Sequence, residues 1–162
     1  MLNKLTTKKL ASAGIISAIY VALTLVLMPI SFGAVQVRIS EALTILPLFF
    51  PEAIVGLTVG CLISNLFGFG VFDVIFGTIA TFLSAILTYY AGKKIKNSTL
   101  KFVVGGSFPI IINAIIIPLI FIITGSTDQV YFINFLTIFA GQFLSVYVVG
   151  VNVYLAIKKI KH

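Results

Sequence analysis

RISEALTILPLFFPE, residues 38–52, decides how this chain is built, because only ten uncharged residues separate Glu41 from Glu52. As an α-helix about a dozen residues rise about 18 Å, too short to cross about 30 Å of hydrocarbon while facing lipid. This segment therefore belongs inside a bundle of longer helices. Five other charge-free stretches are long enough to span: 28 residues between Lys9 and Arg38, and then 53–72, 74–92, 102–127 and 129–157. The spacing predicts helices at 10–28, 39–50, 52–67, 72–91, 102–123 and 131–157. Pro29, Pro51, Gly68-Phe69-Gly70, the Lys93–Lys101 segment and Gly125-Ser126-Thr127-Asp128 punctuate them.

Composition sets the solvent. The chain has 162 residues, 60% hydrophobic and 9% charged, whereas soluble domains are about half apolar and about a quarter charged. So much apolar surface needs the bilayer, which excludes a soluble enzyme, a nucleic-acid binder and a disordered tail. The net charge of +7 comes from lysines at the ends of apolar stretches and acts as a topology signal, so no nucleic-acid partner is inferred. The basic start followed by a long apolar run reads as a retained first helix, not a cleaved leader.

Parity restricts the crossing number. Lys4, Lys8 and Lys9, then Lys93, Lys94, Lys96 and Lys101, then Lys158, Lys159 and Lys161 form three clusters that the positive-inside rule assigns to the cytoplasm. An even number of crossings must separate successive clusters, so 39–67 crosses twice or not at all. The expectation is an all-α integral membrane protein: one domain over residues 1–162, a six-transmembrane-helix bundle with both termini cytoplasmic. Four spans with a re-entrant 39–67 hairpin are the alternative.

Polar residues inside such a chain are functional candidates, because an ionisable group at membrane depth costs about 2.5–3.5 kcal/mol. Arg38 and Glu41 lie at the outer entry to the second helix, spaced i, i+3, where they can pair with each other. Alternatively Glu41 accepts from a ligand's N–H donors while Arg38 offers its fork to a carbonyl or steadies the carboxylate. Asn65 and Asp73 fall at the outer ends of helices three and four, where Asp73 also suits an N-cap. Asn113 lies mid-span. Tyr131, Asn134, Ile138 and Gln142 share one face of helix six, either to bond neighbouring helices or to line a site. Glu52, Asn152 and Cys61 read as structural. Gly14, Ala18 and Ala22 recur every four residues and make a smooth stripe for a close helix approach, within the chain or against another polypeptide.

Catalysis has little to stand on: the one histidine is His162 and the one cysteine Cys61, with no metal cluster or nucleophile–base pair. Gly92-Lys93-Lys94 is not a phosphate-binding loop. The chain is read as no enzyme, with no cofactor and no metal. A proton-coupled carrier would use a mid-span acid, and the predicted boundaries place none there.

The motifs VQVRISEALTILP (35–47) and GLTVGCLISNLFGFGVFDVIFGT (56–78) resemble those of the queuosine-precursor transporter family, substrate-binding subunits of energy-coupling-factor transporters. The resemblance implies a bacterial cell-membrane protein of six helices that captures a small molecule outside. It would deliver that molecule by toppling onto a transmembrane coupling subunit driven by two ATPase subunits. Gly14, Ala18 and Ala22 would form the docking face. The implied ligand is a 7-deazaguanine base, in its cyano or aminomethyl form, or queuine. Glu41 would take the donor edge of the base and Asn65, Asn113 or Gln142 its carbonyl and ring nitrogens, with Arg38 and Asn134 alongside. Phe67, Phe69 or Tyr131 would stack on the ring, and Asp73 would meet an aminomethyl cation.

Overall fold

The computed structural model describes residues 6–31, 37–68, 70–125 and 127–161, and among these all regular structure is helical, with no strand. Six elements follow in chain order. They are α1 (Thr7–Val26), α2 (Ile39–Leu48), α3 (Ala53–Gly68), α4 (Asp73–Lys94), α5 (Ser98–Thr124) and α6 (Tyr131–Ile160). A single helical turn, Met28–Ser31, follows α1. Four of the six, α1, α4, α5 and α6, are long and apolar enough to cross a membrane, whereas α2 and α3 are shorter apolar helices.

The element α2 differs in kind from its neighbours. It is a 3-10 helix, and at about 2.0 Å per residue that winding carries ten residues further along the axis than α-helical winding would. Pro47 sits inside it, where the missing N–H removes one backbone bond. Every residue from Ser40 to Leu48 is buried. A segment apolar on all sides must be surrounded by protein or lipid, and here it is protein. Leu43 and Leu46 pack with Tyr20, Leu57 and Cys61, while Ile45 and Leu48 pack with Ala91, Ile110, Val146 and Tyr154. Its end is clasped by glycines: a Cβ at Gly92 would lie 2.6 Å from the Leu48 carbonyl oxygen, and one at Gly105 would lie 2.5 Å from Leu48 Cδ2.

Packing of α1 on α3 sets the direction of the chain. A Cβ at Gly56 would meet the Ala13 carbonyl oxygen at 2.7 Å, and one at Gly60 would meet the Tyr20 Cβ at 2.9 Å. Residue numbers rise together along this seam, so the two helices run parallel and α2 carries the chain back through the bundle between them. The remaining neighbours are antiparallel. Asn65 meets Asp73 and Cys61 meets Gly77 across α3 and α4; Ile115, Val103 and Ser98 of α5 meet Tyr131, Tyr147 and Tyr154 of α6. The contacts of Leu48 with Gly92 and of Ser98 with Tyr154 bring the Lys93–Lys101 segment and the last turns of α6 to one end of the bundle. The start of α1 lies at that same end, level with the start of α3. Large apolar side chains such as Ile15, Phe76, Leu87, Ile115 and Ile133 point outward, as a lipid-facing surface requires.

Candidate functional site

Tyr20 and Thr24 reach the site from α1 because Ala13, Ser17, Tyr20 and Thr24 follow helical 3–4 spacing and form its buried face. The Tyr20 hydroxyl donates to Glu41 Oε1 at 2.5 Å, and Asn113 Nδ2 of α5 approaches Oε2 at 3.5 Å. The first distance is short for an O–H···O hydrogen bond, whereas the second is at the limit of one. Thr24 Oγ1 donates to the Tyr20 carbonyl at 2.8 Å, and its hydroxyl lies 2.7 Å from that of Ser40. Three elements thus converge on Glu41, which is 1% exposed. A carboxylate accepts about four hydrogen bonds, so capacity remains after these two.

The residue Arg38 precedes α2 in an extended conformation and is buried. Its guanidinium is near enough to Tyr20, Cys61, Glu41 and Asp73 to interact with each electrostatically. Its charge therefore acts on both the Glu41 group and a second polar group on α3 and α4. In that second group Asn65 Nδ2 donates to the Asp73 backbone carbonyl at 3.1 Å and to Cys61 Sγ at 3.4 Å, and Thr81 Oγ1 donates to the same sulfur at 3.2 Å. The thiol donates in turn to the Gly77 carbonyl at 3.7 Å. Asn65 Oδ1 has no partner and Asn65 is 1% exposed.

The structure brings Arg38, Glu41, Asn65, Asp73 and Asn113 together and separates others from them. Glu41 sits level with Asn113, halfway along α5, deeper than an outer entry position; the inward path of the 3-10 segment accounts for this, and it supplies the mid-bundle acid that the predicted boundaries lacked. Asp73 is not an N-cap. Val71 and Phe72 are already helical, the Asp73 N–H donates to the Gly70 carbonyl, and Asp73 lies in the first turn, where a carboxylate still meets the helix dipole favourably.

On α6, Asn134, Ile138 and Gln142 are buried on one face as their spacing predicts. Asn134 donates to the Gln129 carbonyl at 3.2 Å and the Tyr131 hydroxyl to the Ile115 carbonyl at 3.1 Å, so both serve the junction of α5 and α6. Gln142 Oε1 is buried without a partner. Phe67 is 66% exposed and does not face the site, because it follows Asn65 around the end of α3 onto the outer surface. Phe69 lies outside the described residues. The aromatic ring that does border Glu41 is that of Tyr20, whose signal in the sequence was the Ser17, Tyr20, Thr24 series.

The stripe formed by Gly14, Ala18 and Ala22 lies on the other side of α1. All three are exposed, and with Val55 and Val59 of α3 they line an apolar groove. The seam between α1 and α3 is made instead by Gly56 and Gly60.

A family model described as QueT transporter matches residues 10–159. A queuosine precursor transporter QueT from Lactococcus lactis subsp. cremoris is 38% identical over 82 residues, covering 49% of this chain and 48% of that protein. The chain spans about half the length of the curated relative it matches. No solved structure matches it.

Proposed function

Because the chain belongs to the QueT transporter family, we propose that it is the substrate-capture subunit of an ATP-driven importer of the energy-coupling-factor type, taking up a queuosine precursor. The substrate class follows the name of the Lactococcus relative. The observation that carries the reading is Glu41, an acid buried inside an apolar bundle and held by Tyr20 from α1 and Asn113 from α5. A guanine-like edge presents adjacent N–H and NH2 donors beside a carbonyl; a carboxylate complements the donors and a guanidinium or amide the carbonyl. Glu41 takes the donor edge, displacing the long contact with Asn113, and Arg38 or Asn113 takes the carbonyl. Asn65 and Gln142 offer their unpartnered carbonyl oxygens.

The single domain crosses the membrane of a bacterial cell six times, with both termini cytoplasmic. Support comes from the parallel pairing of α1 and α3, which obliges α2 to run back between them, and from the basic segments gathered at one end. The ligand enters from the opposite end. Gly14, Ala18 and Ala22 form the face that meets the transmembrane coupling subunit, which two ATPase subunits drive; an exposed stripe of small residues beside an apolar groove suits close contact with another helix.

Thermal stability of the detergent-purified chain tests this reading, with cyano- and aminomethyl-7-deazaguanine, queuine, guanine, riboflavin, thiamine and biotin as probes. A ligand at 100 times its Kd adds about 2.7 kcal/mol. The expected shift is confined to the 7-deazaguanines, and a shift confined to another vitamin would overturn the substrate. The burial of Glu41 also favours a second reading, a self-sufficient proton-coupled carrier with Glu41 as relay. Uptake by the chain alone in vesicles carrying a proton gradient would decide for that reading.

A further inference from the structure

All four helices long enough to cross a membrane carry lysine at the same end of the bundle. Lys8 and Lys9 open α1, Lys93 and Lys94 close α4, Lys101 lies in the first turn of α5, and Lys158 and Lys159 close α6. Every other helix touches the buried α2, so these lysines stand around the bundle and not on one face. The acid at this end is Glu52, just before α3, whereas Glu41 and Asp73 belong to the site and Asp128 to the loop between α5 and α6. One carboxylate cannot neutralise such a ring.

Two of the four placements suit their helices and two oppose them. In the last turns of α4 and α6 a cation meets the negative end of the helix dipole. In the first turns of α1 and α5, Lys8, Lys9 and Lys101 meet the positive end, with no acid in either turn to offset them. A topology signal acts at insertion, whereas this repulsion lasts as long as the fold does. An anion in contact with these lysines would offset it.

The surroundings identify the anion. Leu10, Leu100, Leu155 and Ile160 are each more than half exposed and lie within one turn of Lys9, Lys101 and Lys159. Lys93 Nζ stands 5.1 Å from the centre of the Tyr89 ring, and Tyr90 beside it is exposed, as aromatic and lysine side chains are at a membrane interface. A free anion or an acidic soluble protein would meet the charges and leave the apolar side chains in water. A phospholipid covers both, its phosphate on the ammonium groups and its acyl chains on the leucines. We propose that this ring binds anionic phospholipids of the adjacent leaflet, which act as structural partners of the folded chain.

The test is the thermal midpoint of the full chain in detergent with added phosphatidylglycerol, with phosphatidylcholine of the same acyl chains, or with inorganic phosphate. Phosphatidylglycerol is expected to raise the midpoint by about 4 °C or more above phosphatidylcholine, and about 1 M salt to abolish the difference. The combined variant Lys8→Gln, Lys9→Gln and Lys101→Gln should lose most of that difference while its midpoint in phosphatidylcholine holds or rises, since the charges opposing the dipoles are gone. Equal midpoints in the two lipids would overturn the proposal, and an equal rise with inorganic phosphate would replace the lipid by a free anion. A full lipid difference in the folded variant would overturn the role of these three lysines. Should the variant not fold, the salt series on the unaltered chain decides, because a difference undiminished by salt contradicts binding through the ring. None of these outcomes bears on the capture of a 7-deazaguanine, which the ligand series measures separately.

Discussion

Tyr20 and Glu41 are both fully buried, and the 2.5 Å hydrogen bond between them is the shortest described at the site. Removing the hydroxyl with Tyr20→Phe leaves one carboxylate oxygen without its donor at nearly unchanged volume. The expected cost is about 1–3 kcal/mol of stability, read as a lower thermal midpoint in detergent; an unchanged midpoint would show that the bond contributes nothing. Glu41, Arg38 and Asn113 were legible in the sequence because ionised and amide groups stand out against hydrocarbon. Tyr20 was not, since a phenol is unremarkable in an apolar helix and the neighbouring Ala18 and Ala22 drew attention to the opposite face. Asp73 was found for a partly different reason: its place near the helix start was right, but the helix begins before it.

At the scale of elements, the seam between α1 and α3 depends on the two glycines of α3. Gly56→Val would drive a side chain into the Ala13 carbonyl, 2.7 Å from the position of its Cβ, and such overpacking costs about 1–3 kcal/mol. Gly14→Ala meets nothing within 4 Å, so helix propensity alone applies and the thermal midpoint should hold or rise slightly. Equal losses in both variants would contradict the seam. Ala18→Leu and Ala22→Leu lie on the exposed face and should lower recovery of coexpressed coupling subunit in a pulldown while the chain stays folded; full recovery would move docking elsewhere. The six helices were legible from proline, glycine and charge spacing, including the short second one. Its 3-10 winding was not, because a segment apolar on every side has no period to read, and the winding follows from the glycines and helices that enclose it.

For the whole molecule, crossing number and ligand chemistry meet at α2. If 39–67 crosses twice, a cysteine at Glu52 reacts with an impermeant thiol reagent from the same side as one at Lys94, and one at Asp128 from the opposite side; the buried Cys61 keeps the parent chain unreactive. Protection of the Glu52 position from both sides would favour the four-span alternative. The central claim is that the carboxylate carried inward on α2 binds the base, and the affinity of Glu41→Gln for aminomethyl-7-deazaguanine tests it most directly, with the thermal midpoint of the variant measured alongside. A loss of about tenfold or more in a folded variant is the predicted result, and parental affinity in a folded variant would contradict the account.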